Sequence, residues 1–265
     1  MAVNQSLISL AGFSLASFSL TTLLGGLPAQ GQMSSGGAIE PQITAGVTFE
    51  PPGDETLKNS QGGATRDSGY CPIDSSTDSV NSARSVVPLM PKNRADGLTV
   101  SDRPAFFMYV SSGSAEQIFF TLKDQNEDYY YQKTVSVPEG ASIVSVQLPE
   151  DAPPLEVGKN YQWTFVVACQ MPVRPDSPIV TGWVTRVTPD SVGLNLNSTR
   201  HRVNATPSLE MAQLYGSAGV WFDALTTLAL LRDQEPENYT AVWKEFLASV
   251  GLEAIASEPL MLDQN

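Results

Sequence analysis

Chemistry in this chain would have to come from few residues. A single histidine, His201, sits in Arg200-His201-Arg202, and any serine or cysteine triad would need it as its base. Its flanking cations disfavour the protonated imidazole, and the run reads better as a basic loop between domains. Neither a Gly-x-Ser-x-Gly elbow nor a phosphate-cradling glycine loop occurs. Carboxylates are the other source of acid and base. Asp102 and Glu156 both stand beside predicted strands, and a pair of acids across a cleft is the equipment of a glycoside hydrolase. The structural alternative for Asp102 is a bond to a turn or to Arg103. No catalytic residue and no cofactor is predicted from these types and spacings.

Metal sites fare no better. Asp124-Gln125-Asn126-Glu127-Asp128 begins like a calcium loop, but Tyr129 stands where that loop needs Gly and Val135 replaces the closing acid. It reads as a solvated hairpin turn. Zinc needs four ligands, and two cysteines with one histidine do not make a tetrahedral set. Cys71 and Cys169 are instead expected to pair in an oxidising compartment, where so long a loop would gain about 4–5 kcal/mol in the chain-entropy account. The alternative leaves Cys169 as a small buried hydrophobe and Cys71 as a free thiol. Phe107, Tyr109, Tyr129, Tyr130 and Tyr131 would suit a sugar- or peptide-binding face, although half-buried strands are rich in such rings anyway.

The compartment is read from residues 1–29. Met1 to Ala29 carries no charged side chain, and Leu7 to Leu27 is an apolar run diluted by Ser, Thr and Gly that ends in Leu27-Pro28-Ala29. That is the shape of a signal peptide, although no Lys or Arg opens it. Its removal predicts a periplasmic or secreted protein; its retention would anchor the chain to a membrane. The formal charge of -13 at pH 7, with a pI near 4.4, repels polyphosphate and argues against nucleic acid as a partner. Residues 30–70 are rich in Gly, Ser, Gln, Thr and Pro. Their isolated apolar residues (Ile39, Ile43, Val47, Phe49, Leu57) show no period, so a disordered spacer is expected there.

Residues 71–190 change texture to short β-branched and aromatic runs between turn residues, the signature of sheet. Ala105 to Val110 is apolar on both faces, as a central strand would be. Ile118, Phe120 and Leu122 alternate before the acidic turn, and Tyr131, Lys133, Val135 and Val137 share a face after it, predicting a hairpin. Val144, Val146 and Leu148 mark another strand. In Leu155-Glu156-Val157-Gly158-Lys159-Asn160-Tyr161, a Leu, a Gly and a Tyr precede a strand whose Tyr161, Trp163, Phe165, Val167 and Cys169 point one way. This has the pattern of a tyrosine corner, with Tyr161 and Trp163 structural. The strand through Trp183, Val184 and Val187 completes an immunoglobulin- or fibronectin III-like β-sandwich.

A linker over 191–205 then leads to helical periodicity over 206–256. Thr206-Pro207 is a plausible N-cap followed by Pro at the first helical position. Tyr215, Gly219, Trp221, Ala224, Leu228 and Pro236 fall at the spacings of one tetratricopeptide unit, with Ala212 at its small position and Leu231 where that motif wants Ala. Tyr239, Val242, Trp243, Phe246, Leu247 and Val250 continue an amphipathic pattern. One repeat is too few for a solenoid, so this helical hairpin is expected to pack on the sandwich rather than offer a partner groove.

Taken in order, Gly69-Tyr70-Cys71-Pro72, Leu98-Thr99-Val100-Ser101-Asp102-Arg103-Pro104-Ala105-Phe106, Ala152-Pro153-Pro154-Leu155-Glu156-Val157-Gly158-Lys159, Cys169, Gly182-Trp183-Val184 and Gly219-Val220-Trp221-Phe222-Asp223-Ala224-Leu225 resemble the cyanobacterial domain of unknown function 928 (DUF928) family. The resemblance runs from about Tyr70 to Leu260. It implies an exported protein and supplies no catalytic residues. The combined expectation is a non-enzymatic binding or scaffold module of the cell envelope, with envelope protein or glycan as partner. The alternative is a carboxylate-dependent hydrolase of cell-wall sugar or peptide.

Overall fold

The computed structural model describes residues 46–53, 86–112, 117–126, 130–136, 139–168, 171–175, 177–194 and 206–263. All of them belong to the compact unit Ile43–Asn265, one of two into which the chain divides. The expected signal segment, Cys71, Cys169, Tyr129 and His201 lie outside the described residues.

Among the described residues the strands form two sheets. One contains β1 (Val86–Pro88), β3 (Ala105–Val110), β6 (Ser142–Gln147) and β9 (Leu260–Met261) in the order β1-β3-β6-β9. The other contains β2 (Asp96–Thr99), β4 (Gln117–Asp124), β5 (Tyr130–Val135), β7 (Asn160–Ala168) and β8 (Ile179–Arg186) in the order β2-β8-β7-β4-β5. Period-two alternation puts Ile118, Phe120 and Leu122 of β4 inside beside Tyr161, Trp163, Phe165 and Val167 of β7, all nearly inaccessible to solvent. Phe106 of β3 meets Phe120 with ring centroids 5.0 Å apart, closing the core between the sheets. The hydroxyl of Tyr161 accepts the N–H of Glu156 at 2.9 Å, tying the turn to the start of β7. Gly182 of β8 is required by Trp163, because a Cβ there would lie 2.2 Å from the indole ring. Trp183, next along β8, is half-buried on the outer face.

Three helices follow among the described residues: α1 (Leu209–Ser217), α2 (Trp221–Gln234) and α3 (Pro236–Ser249). The stretch expected as a hairpin over 206–256 thus holds three helices rather than two, the amphipathic run from Tyr239 lying in the third. α1 begins after Thr206-Pro207 because Ser208 caps it, its side chain accepting the N–H of Met211. Tyr215, Trp221 and Ala224 are buried, whereas Pro236 is exposed at the first position of α3. Gly219, with φ +72°, turns the chain between α1 and α2.

The helices share one apolar core with the sheets. Phe222 packs edge-on against Phe106 at 5.4 Å, and a Cβ on Gly97 of β2 would come within 2.8 Å of its ring. The indole N–H of Trp221 donates to the carbonyl of Leu89 at 2.9 Å. Trp221 also stacks on Phe246 of α3 at 5.3 Å, which couples α2 to α3.

Two boundaries differ from the sequence reading. The linker placed at 191–205 starts later, since a 3₁₀ turn over Pro189–Val192 leads to Leu194, which is buried. The spacer placed at 30–70 contains an ordered stretch. Val47 is buried, Phe49 meets Trp221 edge-on at 5.0 Å, and the N–H of Glu50 donates to the carbonyl of Gly216 at 2.9 Å. Two apolar residues show no period in a polar stretch, yet in an extended chain they share one face and reach the helices together.

Candidate functional site

Where the sheets meet α1 and α2 there is a cleft of about 690 Å³. Its sheet side is built by the end of β2, the turn into β3, Gln147 at the end of β6 and Arg186 at the end of β8; its helical side by Met211, Tyr215, Phe222, Asp223 and Thr226.

The turn Ser101-Asp102-Arg103-Pro104 is shaped by its own side chains. Ser101 N–H donates to Thr99 Oγ1 and Arg103 N–H to Ser101 Oγ, both at 3.1 Å. The Arg103 fork is occupied by main chain: Nε donates to the carbonyl of Pro149 at 3.1 Å and Nη2 to those of Glu150 at 3.1 Å and Ala152 at 3.3 Å. Its Nη1 pairs with Asp102 Oδ2 at 3.2 Å. The carbonyl of Asp102 accepts the N–H of Leu155 at 2.8 Å. Arg103 therefore fastens the segment from Pro149 to Leu155 to the turn, and its role is positioning.

Asp223 joins the helices to this turn. Its Oδ2 accepts the Thr99 hydroxyl at 2.8 Å and the Val100 N–H at 3.1 Å, across 124 and 123 positions of sequence. Burial pushes its carboxyl up to about 6, against the opposing pull of bonds from Thr99, Val100 and Ser101. Burial, then the nearby Asp223 charge, pushes the Tyr215 phenol up to about 12. On the opposite wall Arg186 Nη1 donates to the carbonyl of Leu155 at 2.6 Å, while its Nε is buried with no hydrogen-bond partner among the described residues. A buried donor without an acceptor costs free energy.

The residues singled out from sequence scatter. Asp102 lines the cleft, but Glu156 does not; it pairs with Lys159 at 2.7 Å on the surface. The proposed aromatic face also divides: Phe107 and Tyr109 lie on β3, whereas Tyr130, exposed, and Tyr131, half-buried, lie on β5 of the other sheet. Asp124 ends β4 as a buried residue. Among the described residues no group of three or more His, Cys, Asp or Glu is placed to hold a metal ion, and no helix is long and apolar enough to cross a membrane. Sequence reasoning missed Asp223 and Arg186. Asp223 had a signal: a lone acid inside Trp221-Phe222-Asp223-Ala224-Leu225 is a charge on a helix start that must be buried. Arg186 had none, since a cation closing a strand is ordinary.

No curated protein matches this chain. The runs Leu98–Phe106 and Gly219–Leu225, distant in sequence, meet at the cleft through Thr99 and Asp223, and Ala152–Lys159 is tied to the same turn through the Leu155 N–H and the Asp102 carbonyl. Residues 61–260 match the model of the Domain of Unknown Function (DUF928), and the chain belongs to that family.

Proposed function

We propose that this protein is an exported module of a cyanobacterial cell envelope that binds protein or glycan and performs no chemistry of its own. The observation that carries the reading is the cleft: Arg186 lines it as a cation, while Asp223 and Arg103 are already engaged in holding the fold. Such a site recognises an acceptor-rich ligand, a sugar hydroxyl or a peptide carbonyl, rather than activating one. The compartment rests on the apolar segment before Ala29, and mass spectrometry expects a mature terminus near Gln30.

The strand order supports an immunoglobulin-like reading of the sandwich. β1-β3-β6 corresponds to strands A, B and E, and β8-β7-β4-β5 to G, F, C and C′, with Tyr161 at the start of F. Gly219, Ala224 and Pro236 at tetratricopeptide spacing support a repeat-like reading of the helices.

Binding is tested by co-sedimentation with purified cell-wall glycan and by calorimetry with its soluble fragments and with envelope peptides. Arg186→Lys keeps a donor for the Leu155 carbonyl but removes the guanidinium fork from the cleft wall. It is expected to weaken binding about tenfold, for the loss of about 1.4 kcal/mol, while leaving the melting temperature nearly unchanged. Equal binding by both proteins would remove the cleft as the site.

One observation favours the hydrolase as a second reading: a carboxyl pushed to about 6 is in the range of a general acid, and Asp102 and Glu150 line the same cleft. Release of reducing ends or free amines from cell wall by the wild type, abolished in Asp223→Asn, would replace the binding module with that enzyme.

A further inference from the structure

The stretch Gly46–Gly53 lies on the helices as an extended strap, and the surface beneath it is shaped to accept a main chain. A Cβ on Gly216 of α1 would lie 2.3 Å from the carbonyl oxygen of Thr48, and one on Gly219 would lie 2.7 Å from Pro52. At the near end, a Cβ on Gly46 would lie 3.6 Å from the Glu245 carboxylate of α3. The strap thus crosses from α3 over α1 to the start of α2, burying Val47 and resting Phe49 on Trp221.

Three observations separate this surface from an ordinary piece of core. The groove is made by residues inside the family match, 61–260, whereas its occupant lies outside it. The strap underfills the groove: cavities of about 510 Å³, between Phe49, Pro51, Lys92 and Val250, and about 300 Å³, between Thr48, Glu210 and Leu214, flank it. Its described main-chain tie to the helices outside regular elements is the Glu50 to Gly216 bond, which leaves two side chains to provide the apolar contact. None of the residues lining the cleft lines this groove.

We propose that this groove is a peptide-binding site, that the strap is its built-in ligand, and that it takes an extended partner segment with apolar residues at alternate positions followed by prolines. The strap itself is the template for that chemistry: Val47 and Phe49 alternate on one face, and Pro51-Pro52 hold Glu50 and Pro51, the residues before each proline, extended. The flanking cavities accept side chains larger than Thr48 and Pro51 supply. A partner bearing them outcompetes the strap. A tethered segment acts at an effective concentration on the order of 1 mM, and a short peptide burying two side chains binds with a dissociation constant of about 0.1 mM. The strap therefore lowers the apparent affinity for a partner about tenfold rather than closing the groove.

The test uses the full chain, the double variant Val47→Asp/Phe49→Asp that releases the strap, and a fluorescent peptide of the sequence Gly-Val-Thr-Phe-Glu-Pro-Pro-Gly as probe. The double variant is expected to keep its circular dichroism and cooperative melt and to bind the probe about tenfold more tightly than the wild type. Adding Gly216→Ala, which fills the space of the strap main chain while favouring helix, is expected to abolish binding. A folded double variant that does not bind the probe at about 2 mM, or that binds it equally well with Gly216→Ala, would overturn the proposal. A double variant without a cooperative melt would make the strap part of the core and overturn it too. A wild-type dimer at micromolar concentration that the probe dissociates would give the groove to a second copy's strap instead of a partner.

Discussion

Asp223 holds the helices to the β2–β3 turn with a carboxyl that burial has made reluctant to ionise, and this has a direct consequence for stability. Its folded value of about 6 lies above the ordinary 3.8, so between those values the folded protein holds a proton that the unfolded chain has released. The stability this provides is full below about pH 4 and is lost as the pH rises through 6. Asp223→Asn keeps an oxygen to accept from Thr99 and Val100 without the buried charge. At pH 7.5 it is expected to be more stable than the wild type by about 1–3 kcal/mol, with the difference shrinking toward pH 4.5; paired urea titrations at the two pH values measure it. A constant difference would mean that the carboxyl titrates normally. From sequence this residue was visible only as an acid in an apolar run. Its partners lie more than a hundred positions away, and no local pattern names them. Tyr161 differs because its hydroxyl bonds only five residues upstream, within reach of a pattern read along the chain.

At the scale of elements, α2 is the joint. Its N-terminal turn carries Trp221, Phe222 and Asp223, which respectively bond Leu89, pack on Phe106 and accept from Thr99. Phe222→Ala opens a cavity between helix and sheet and is expected to cost about 3–5 kcal/mol in chemical denaturation, without a separate helical transition. A loss below about 1 kcal/mol would mean that the helix is only loosely applied. The strands themselves were legible because alternation of side chains is imposed by the pleat: Ile118, Phe120 and Leu122 fall inside for the same reason that Phe119 and Thr121 do not. The strap was illegible. Val47 and Phe49 share a face only once the chain is extended, and what they bury against is supplied by helices far downstream.

For the whole molecule, sheets and helices form a single cooperative body. Trp163, Phe106 and Phe222 are successive neighbours in one aromatic chain, with centroids 6.2 and 5.4 Å apart, so the sandwich has no complete core of its own at that end. Calorimetry is expected to show one transition for the full chain, and a chain ending before Thr206 is expected to lack a cooperative melt; a truncated chain that melts sharply would make the sandwich independent. The far edge is closed similarly, where β9 pairs with β6 and Asp263 meets Lys133 of β5. The residues by themselves determined a two-residue period ahead of Thr188, a helical period after Thr206 and an acidic net charge. Those properties follow from backbone geometry within one element or from summed charge, and neither needs a distant neighbour. Only the tertiary structure decided that the first two strands go to different sheets, that Asp223 is the acid with the altered proton affinity, and that a segment near Phe49 docks on the helices. Each depends on the surface a residue meets, and the free energy of that meeting belongs to the pair rather than to either member.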